Sequence, residues 1–151
     1  DSVLVSQASR ESIEDAKILL QSLQLSLDGV EDQFENFLLL FLNQELIGLI
    51  GLEIYGSIGL LRSLAVKTEY QGNKLGSLLT DRIIEKCKKL GIQSIYLLTE
   101  TAKDFFLKKG FTILNRNEAP LILHQAKEFA YTCPESATLM KKTLKEISIS
   151  I

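Results

Sequence analysis

Cysteine and histidine are scarce in this chain of 151 residues: Cys87, Cys133 and His124 are all it has. They form no Cys-x-x-Cys pair and no Cys/His ligand spacing, so neither a metal site nor a disulfide is expected. An excess of one charge is also missing. Seventeen Lys and Arg face nineteen Asp and Glu, for a net charge of -2. Nucleic-acid binding by counterion release needs a broad cationic face, so no nucleic-acid partner is expected. A membrane span takes roughly 18 uncharged apolar residues, and the most apolar stretch, Phe37 to Ile54, contains Asn43, Gln44, Glu45 and Glu53. No membrane partner is expected either. Nothing at the start pairs a basic segment with an apolar one, which makes the cytoplasm the expected compartment. Two phosphate signatures, Gly-x-x-x-x-Gly-Lys-Ser/Thr and Gly-x-Gly-x-x-Gly, are absent as well.

What is present is 46% hydrophobic and 24% charged residues, the composition of one globular domain over residues 1–151. Ser2 to Ser6 reads as an edge strand, and Ser9 or Ser12 caps a helix with the stripe Ile13, Ala16, Leu20 and Leu23. Phe37 to Leu42 and Leu46 to Tyr55 flank Asn43-Gln44 as two strands flank a hairpin turn, and Gly56-Ser57 leads to a third strand, Gly59 to Val66. The period then changes. Leu75, Leu79, Ile83 and Cys87 recur at helical spacing up to Gly91, after basic Lys86, Lys88 and Lys89. Ile95 to Leu98 is a buried strand, Thr101-x-x-Asp104 caps a short helix ending at Gly110, and Phe111 to Leu114 returns to strand. Pro120 to Tyr131 reads as a short helix and Ala137 to Leu144 as the last strand. Strand, helix, strand from Gly59 to Leu98 makes a right-handed crossover between two parallel neighbours, whose carboxyl ends define a cleft.

Gln71, Gly72, Asn73, Lys74, Leu75, Gly76 and Ser77 occupy the link between that first strand and the long helix. Two glycines in five residues let main-chain N–H groups approach a phosphate at a helix N-terminus. Alone, Gly72 could serve only a turn and Gly76 only helix–sheet packing.

In this context the segment resembles the GNAT superfamily of acetyl-CoA-dependent acetyltransferases, marked by Arg/Gln-x-x-Gly-x-Gly/Ala between a central strand and a helix. Lys74 stands where that pattern has its middle glycine. A second match is the strand Ile95 to Glu100 followed by Ala102 to Phe111, with its closing Gly110-Phe111. Further blocks, among them Leu60 to Val66, Tyr96 to Ala102, Arg116 with Pro120, and Cys133 to Ala137, resemble the GNAT branch associated with arsenic-resistance gene clusters. The resemblance runs from about Leu46 to the end of the last strand. It implies an α/β (α+β) fold: a mixed, mostly antiparallel twisted sheet, a central parallel pair splayed at the cofactor cleft, and helices on both faces. It also implies acetyl-CoA as acetyl donor, with the main chain of Leu64, Ala65 and Val66 pairing the pantetheine amides and the Val66 N–H facing the thioester oxygen.

The acceptor is then expected to be a small-molecule amine bearing an anionic group. Since an amine with a pKa of roughly 8 to 10 is mostly protonated at pH 7, a base is needed. Glu53, inside an apolar strand, and Glu100, at the carboxyl end of the parallel strand, are the candidates. The tyrosine with which many relatives protonate the departing thiolate is replaced by Phe106, which remains a coenzyme contact. Arg62, costly to bury alone, is expected to meet Glu53, another carboxylate or an anionic substrate group, and Arg116 to bind substrate or serve as a turn arginine. A coenzyme-binding sensor without turnover stays open on the strength of Lys74 and Phe106, as does a homodimer through the meander edge or the final strand.

Overall fold

A computed structural model provides the structure and describes residues 2–127 and 136–144. Seven strands, β1 (Val3–Gln7), β2 (Leu38–Leu42), β3 (Glu45–Tyr55), β4 (Ile58–Val66), β5 (Ser94–Thr99), β6 (Thr112–Leu114) and β7 (Thr138–Thr143), alternate with three α-helices, α1 (Ile13–Ser22), α2 (Leu75–Lys89) and α3 (Lys103–Lys108). The strands form one sheet in the order β1-β2-β3-β4-β5-β7-β6. Only β4 and β5 run parallel; the other neighbours are antiparallel. This is the mixed α/β fold expected.

Tight turns build the first half. Asn43 and Gln44 take left-handed φ values of 51° and 69°, the conformation whose twist matches the flanking strands of a two-residue hairpin. Alternation then sends side chains to two cores. Against one face, α1 buries Ala16, Leu19 and Leu20 on Phe34, Phe37, Leu39 and Leu49. Against the other, α2 buries Leu79, Ile83, Ile84 and Cys87 on Leu38, Leu40, Ile47, Ile50, Ile95 and Leu97. A smaller cluster joins Leu60, Tyr96 and Leu139 to Leu123 and Ala126.

Several local expectations are corrected. Neither Ser9 nor Ser12 makes a side-chain capping bond; a 3-10 turn, Arg10–Ser12, precedes α1 instead. Thr101 does not cap α3: the residue at the cap position is Ala102, which has no side-chain acceptor, and its own N–H donates to the Thr99 hydroxyl at 3.0 Å. Within Pro120 to Tyr131 the structure shows a 3-10 segment, Leu121–Gln125; residues 128–131 lie outside the described residues, as does Cys133. The final strand is not an edge: β7 is paired on both sides, with β5 and with β6. Among the described residues, no helix is long and apolar enough to cross a membrane.

Candidate functional site

The cleft originates in a ladder that stops early. β4 and β5 pair only through Ile58, Gly59 and Leu60 with Ser94, Ile95 and Tyr96. Beyond Leu60 the strands diverge, and a cleft of about 510 Å³ opens between Leu61–Leu64 on one side and Leu97–Ala102 on the other, with Gln24, Leu25 and Ser26 at its rim and Phe106 in its wall. A bulge reshapes β4 here: Gly51 faces Arg62 and Leu49 faces Ala65, with Ser63 held at φ 59°. Bulges re-aim strands beside functional sites. Past it the Lys67 N–H is spent on the Ile47 carbonyl at 2.8 Å, so alternation along the strand turns the N–H groups of Leu64 and Val66 away from β3, toward the splay. An unpaired strand edge thus borders the cleft.

The glycine loop forms a second hollow of about 380 Å³, bounded by Val66, Tyr70, Gln71, Gly72, Lys74, Leu75, Gly76, Ser77 and Phe105. Gly72 has φ 87° and nothing within 4 Å of the place a Cβ would take. Lys74 adopts φ 63°, ψ 21° as the residue before α2, without a side-chain cap. The glycine of the family pattern is thus explained by a left-handed backbone that a lysine here holds at some cost. The first intrahelical bond of α2 runs from Leu78 N–H to the Lys74 carbonyl at 3.1 Å, leaving the N–H groups of Leu75, Gly76 and Ser77 without partners inside the helix. They and the helix dipole suit a diphosphate. Gln71 plays a different part: its N–H donates to Thr68 and its side-chain amide to the Val66 carbonyl at 2.9 Å, bracing the loop against the strand. Asn73 likewise donates to the Tyr70 carbonyl at 3.1 Å. At Gly76 a Cβ would find only Leu64, at 4.0 Å, so helix–sheet packing does not demand glycine there.

Beside the cleft, whose lining includes Arg62, Arg62 and Glu53 form a buried ion pair, Nη1 to Oε2 3.0 Å, with side chains 0% and 2% exposed. Gly51 opposite Arg62 makes this possible, since a Cβ there would lie 2.8 Å from Arg62 Cγ and 2.7 Å from Phe37 Cζ. The guanidinium also donates through Nε to Ser63 Oγ at 2.9 Å and through Nη2 toward the Ser26 carbonyl at 3.5 Å. The Tyr55 hydroxyl donates to the other Glu53 oxygen. Burial first, then that hydrogen bond, push the Tyr55 phenol well above its ordinary range, so it stays protonated. Both Glu53 oxygens are therefore engaged, and the arginine head is spent within the protein. Glu100 differs: it is exposed, lines the cleft at the end of β5, and accepts from Ser136 Oγ at 3.3 Å. Arg116 donates to the Ala137 carbonyl at 3.3 Å and is not among the residues lining the cleft. Phe106 is buried edge-to-face on Phe111 and Phe105. Cys87 is buried on α2, and burial pushes its thiol up to about 12, which removes it as a nucleophile.

A sheet whose one parallel pair splays beside a glycine loop and an uncapped helix defines the class: a coenzyme-binding acyltransferase fold. Residues 6–111 match the family model described as Acetyltransferase (GNAT) family, and the chain belongs to that family, whose members use acetyl-CoA as acetyl donor. Among solved structures, the fold is similar to N-acetylglutamate synthase from Neisseria gonorrhoeae, complexed with coenzyme A and N-acetyl-glutamate (TM-score 0.82, 21% identity, 97% of this chain and 36% of that one). It is similar also to a GNAT-family acetyltransferase from Staphylococcus aureus Mu50 (TM-score 0.77, 22% identity, 95% and 100%). A third is the ribosomal-protein-S18-alanine N-acetyltransferase from Escherichia coli (TM-score 0.76, 16% identity, 99% of each). The chain spans about a third of the length of the synthase.

Proposed function

We propose that this protein is an N-acetyltransferase that moves an acetyl group from acetyl-CoA to the amino group of a small molecule. One observation carries the reading: the β4–β5 ladder ends after three residue pairs, and β4 then runs from the cleft at Leu64 to the hollow at Val66 that the start of α2 bounds. Acetyl-CoA, when bound, supplies the acetyl thioester. The amides of Leu75, Gly76 and Ser77 then hold its diphosphate, and the Leu64–Val66 edge holds the pantetheine arm as an added strand would be held. Of the two residues whose N–H groups turn to the splay, Leu64 lines the cleft and Val66 the phosphate hollow. Leu64 rather than Val66 is therefore the donor to the thioester oxygen, where negative charge grows during attack, and a donor fixed beforehand stabilises that charge most in the transition state. Glu100, the accessible carboxylate of the cleft, takes the proton of the incoming ammonium, directly or through one water. Glu53 and Arg62 act by positioning: their pair fixes the bulge at Ser63 and, through the Ser26 carbonyl, the segment Gln24–Ser26.

This division of labour alters the acceptor. The basis for an anionic amine was Arg62 and Arg116, and both guanidinium groups are engaged by the protein itself. Of the two charged residues that line the cleft, Arg62 is neutralised by Glu53 and Glu100 is exposed, and the Glu100 carboxylate suits an ammonium. With Phe106 in the cleft wall, the thiolate takes its proton from solvent; a thiol of pKa about 8.5 leaves without a dedicated acid.

The test is thiol release from acetyl-CoA across a library of amines and short peptides. Turnover is expected on a cationic small-molecule amine. Glu100→Gln should lower kcat on it by about 100-fold at pH 7, recovering as pH approaches the pKa of the amine. Tight coenzyme binding with no thiol release on any amine supports the sensor reading instead, and turnover confined to peptide N-termini moves the acceptor to proteins.

A further inference from the structure

The phosphate hollow has a cation behind its wall to which the sequence reading assigned no role. Lys109 follows the last turn of α3, yet its ammonium reaches back to α2: Nζ donates to Ser77 Oγ and lies 2.8 Å from Asp81 Oδ1. It also stands 5.8 Å from the centre of the Phe105 ring. Ser77 and Phe105 both line the hollow, so the ammonium is one hydrogen bond from its wall. Its side chain is 18% exposed, whereas Asp81 is 61% exposed.

We infer that Lys109 is a coenzyme-phosphate ligand, held ready by Asp81 and passed to a phosphate oxygen when the coenzyme enters. An ion pair with so exposed a carboxylate is weak and screened. A phosphate group carries more charge than a carboxylate and accepts charge-assisted hydrogen bonds. The exchange costs one weak contact and gains a stronger one, next to the positive end of α2. Lys74 is the one cation among the described residues that bound the hollow, so Lys109, one hydrogen bond behind its wall at Ser77, supplies charge where the loop has little. The bond to Ser77 sets the direction, because it holds the ammonium toward the hollow and one turn short of Asp81 along the helix.

The inference rests on coenzyme binding as proposed above, and titration calorimetry at low salt separates the two. Wild-type protein that fails to bind coenzyme A overturns the proposed function and this inference together. With wild-type binding in hand, Lys109→Met should raise the Kd for coenzyme A about tenfold, the size of one lost charge-assisted bond, and Lys109→Arg should retain most of the affinity. Pantetheine, which has no phosphate, should bind both proteins alike. Asp81→Asn should tighten coenzyme A binding two- to threefold by releasing the ammonium. If Lys109 merely braced α3 on α2, Asp81→Asn and Lys109→Met would weaken binding together, and that result overturns the inference. So does an unchanged Kd in Lys109→Met, or an equal loss for pantetheine. Dephospho-coenzyme A assigns the partner: a Lys109→Met loss that persists with it places the contact on the diphosphate, and one that vanishes places it on the 3′-phosphate.

Discussion

Glu53 and Arg62 show how one pair of residues joins stability to the site. Neither side chain meets solvent, so removing one charge leaves the other buried and unpaired, at a cost of about 3–5 kcal/mol. Replacing both by apolar residues of similar size removes the two desolvation costs together. Urea unfolding is expected to show that loss for Glu53→Leu and for Arg62→Met singly, with the double variant recovering the larger part. The double variant should still lose acetyl transfer, because the Ser26 carbonyl and the Ser63 hydroxyl lose the group that organises them. The pair was legible in the sequence as an arginine in an apolar strand in need of a carboxylate. What that sequence reading could not weigh was how completely the two side chains are buried and how fully their polar atoms are bonded within the protein. The accessibility of Glu100 was hidden in the same way, since exposure at a strand end is a property of the sheet. Lys109 lies within the Ala102–Phe111 block but was not singled out there: a lysine at a helix end reads as dipole complementarity, and its approach to Ser77 exists only once α3 packs beside α2.

At the scale of elements, the periodic segments were readable and the irregular ones were not. The α2 stripe of Leu79, Ile83 and Cys87, the Asn43-Gln44 hairpin and the β4–α2–β5 crossover follow from spacing, because each buries one face or closes one turn. The caps failed because the helix boundary shifted by a residue or a turn: Ala102 holds the cap position of α3, and a 3-10 turn precedes α1. The β4 bulge was invisible, since Ser63 carries no preference for the left-handed conformation that Gly or Asn would announce. Burial of α2 has a measurable consequence through Cys87, whose thiol rises from an ordinary 9.0 to about 12 on folding. Because the folded state holds that proton more tightly than the unfolded chain, this contribution is intact below about pH 9 and is lost as pH climbs toward 12. Tyr55, raised by burial and by Glu53, acts in the same sense above its ordinary 10.0. The urea midpoint should therefore fall steeply across this window, and in Cys87→Ala, less stable at neutral pH, the fall should be shallower. Equal slopes would show that the thiol titrates alike in both states.

Over the whole molecule, sheet and helices converge on one line of function. Two cores on opposite faces hold β3 and β4 rigid, and the parallel partner of β4 is allowed to part from it after three pairs. A gap between central strands costs ladder hydrogen bonds that a peptide-like ligand can restore, which is why a pantetheine arm suits it. The hollow beside Gly72 and Lys74 continues that track to a helix end. The most direct measurement is a crystal structure of the protein with coenzyme A. The diphosphate is expected within hydrogen-bonding distance of the Leu75, Gly76 and Ser77 amides, with the pantetheine beside Leu64–Val66 and the sulfur between the diverging ends of β4 and β5. Coenzyme A bound elsewhere, or the β4–β5 gap closed by side chains in the presence of saturating coenzyme, would contradict the account.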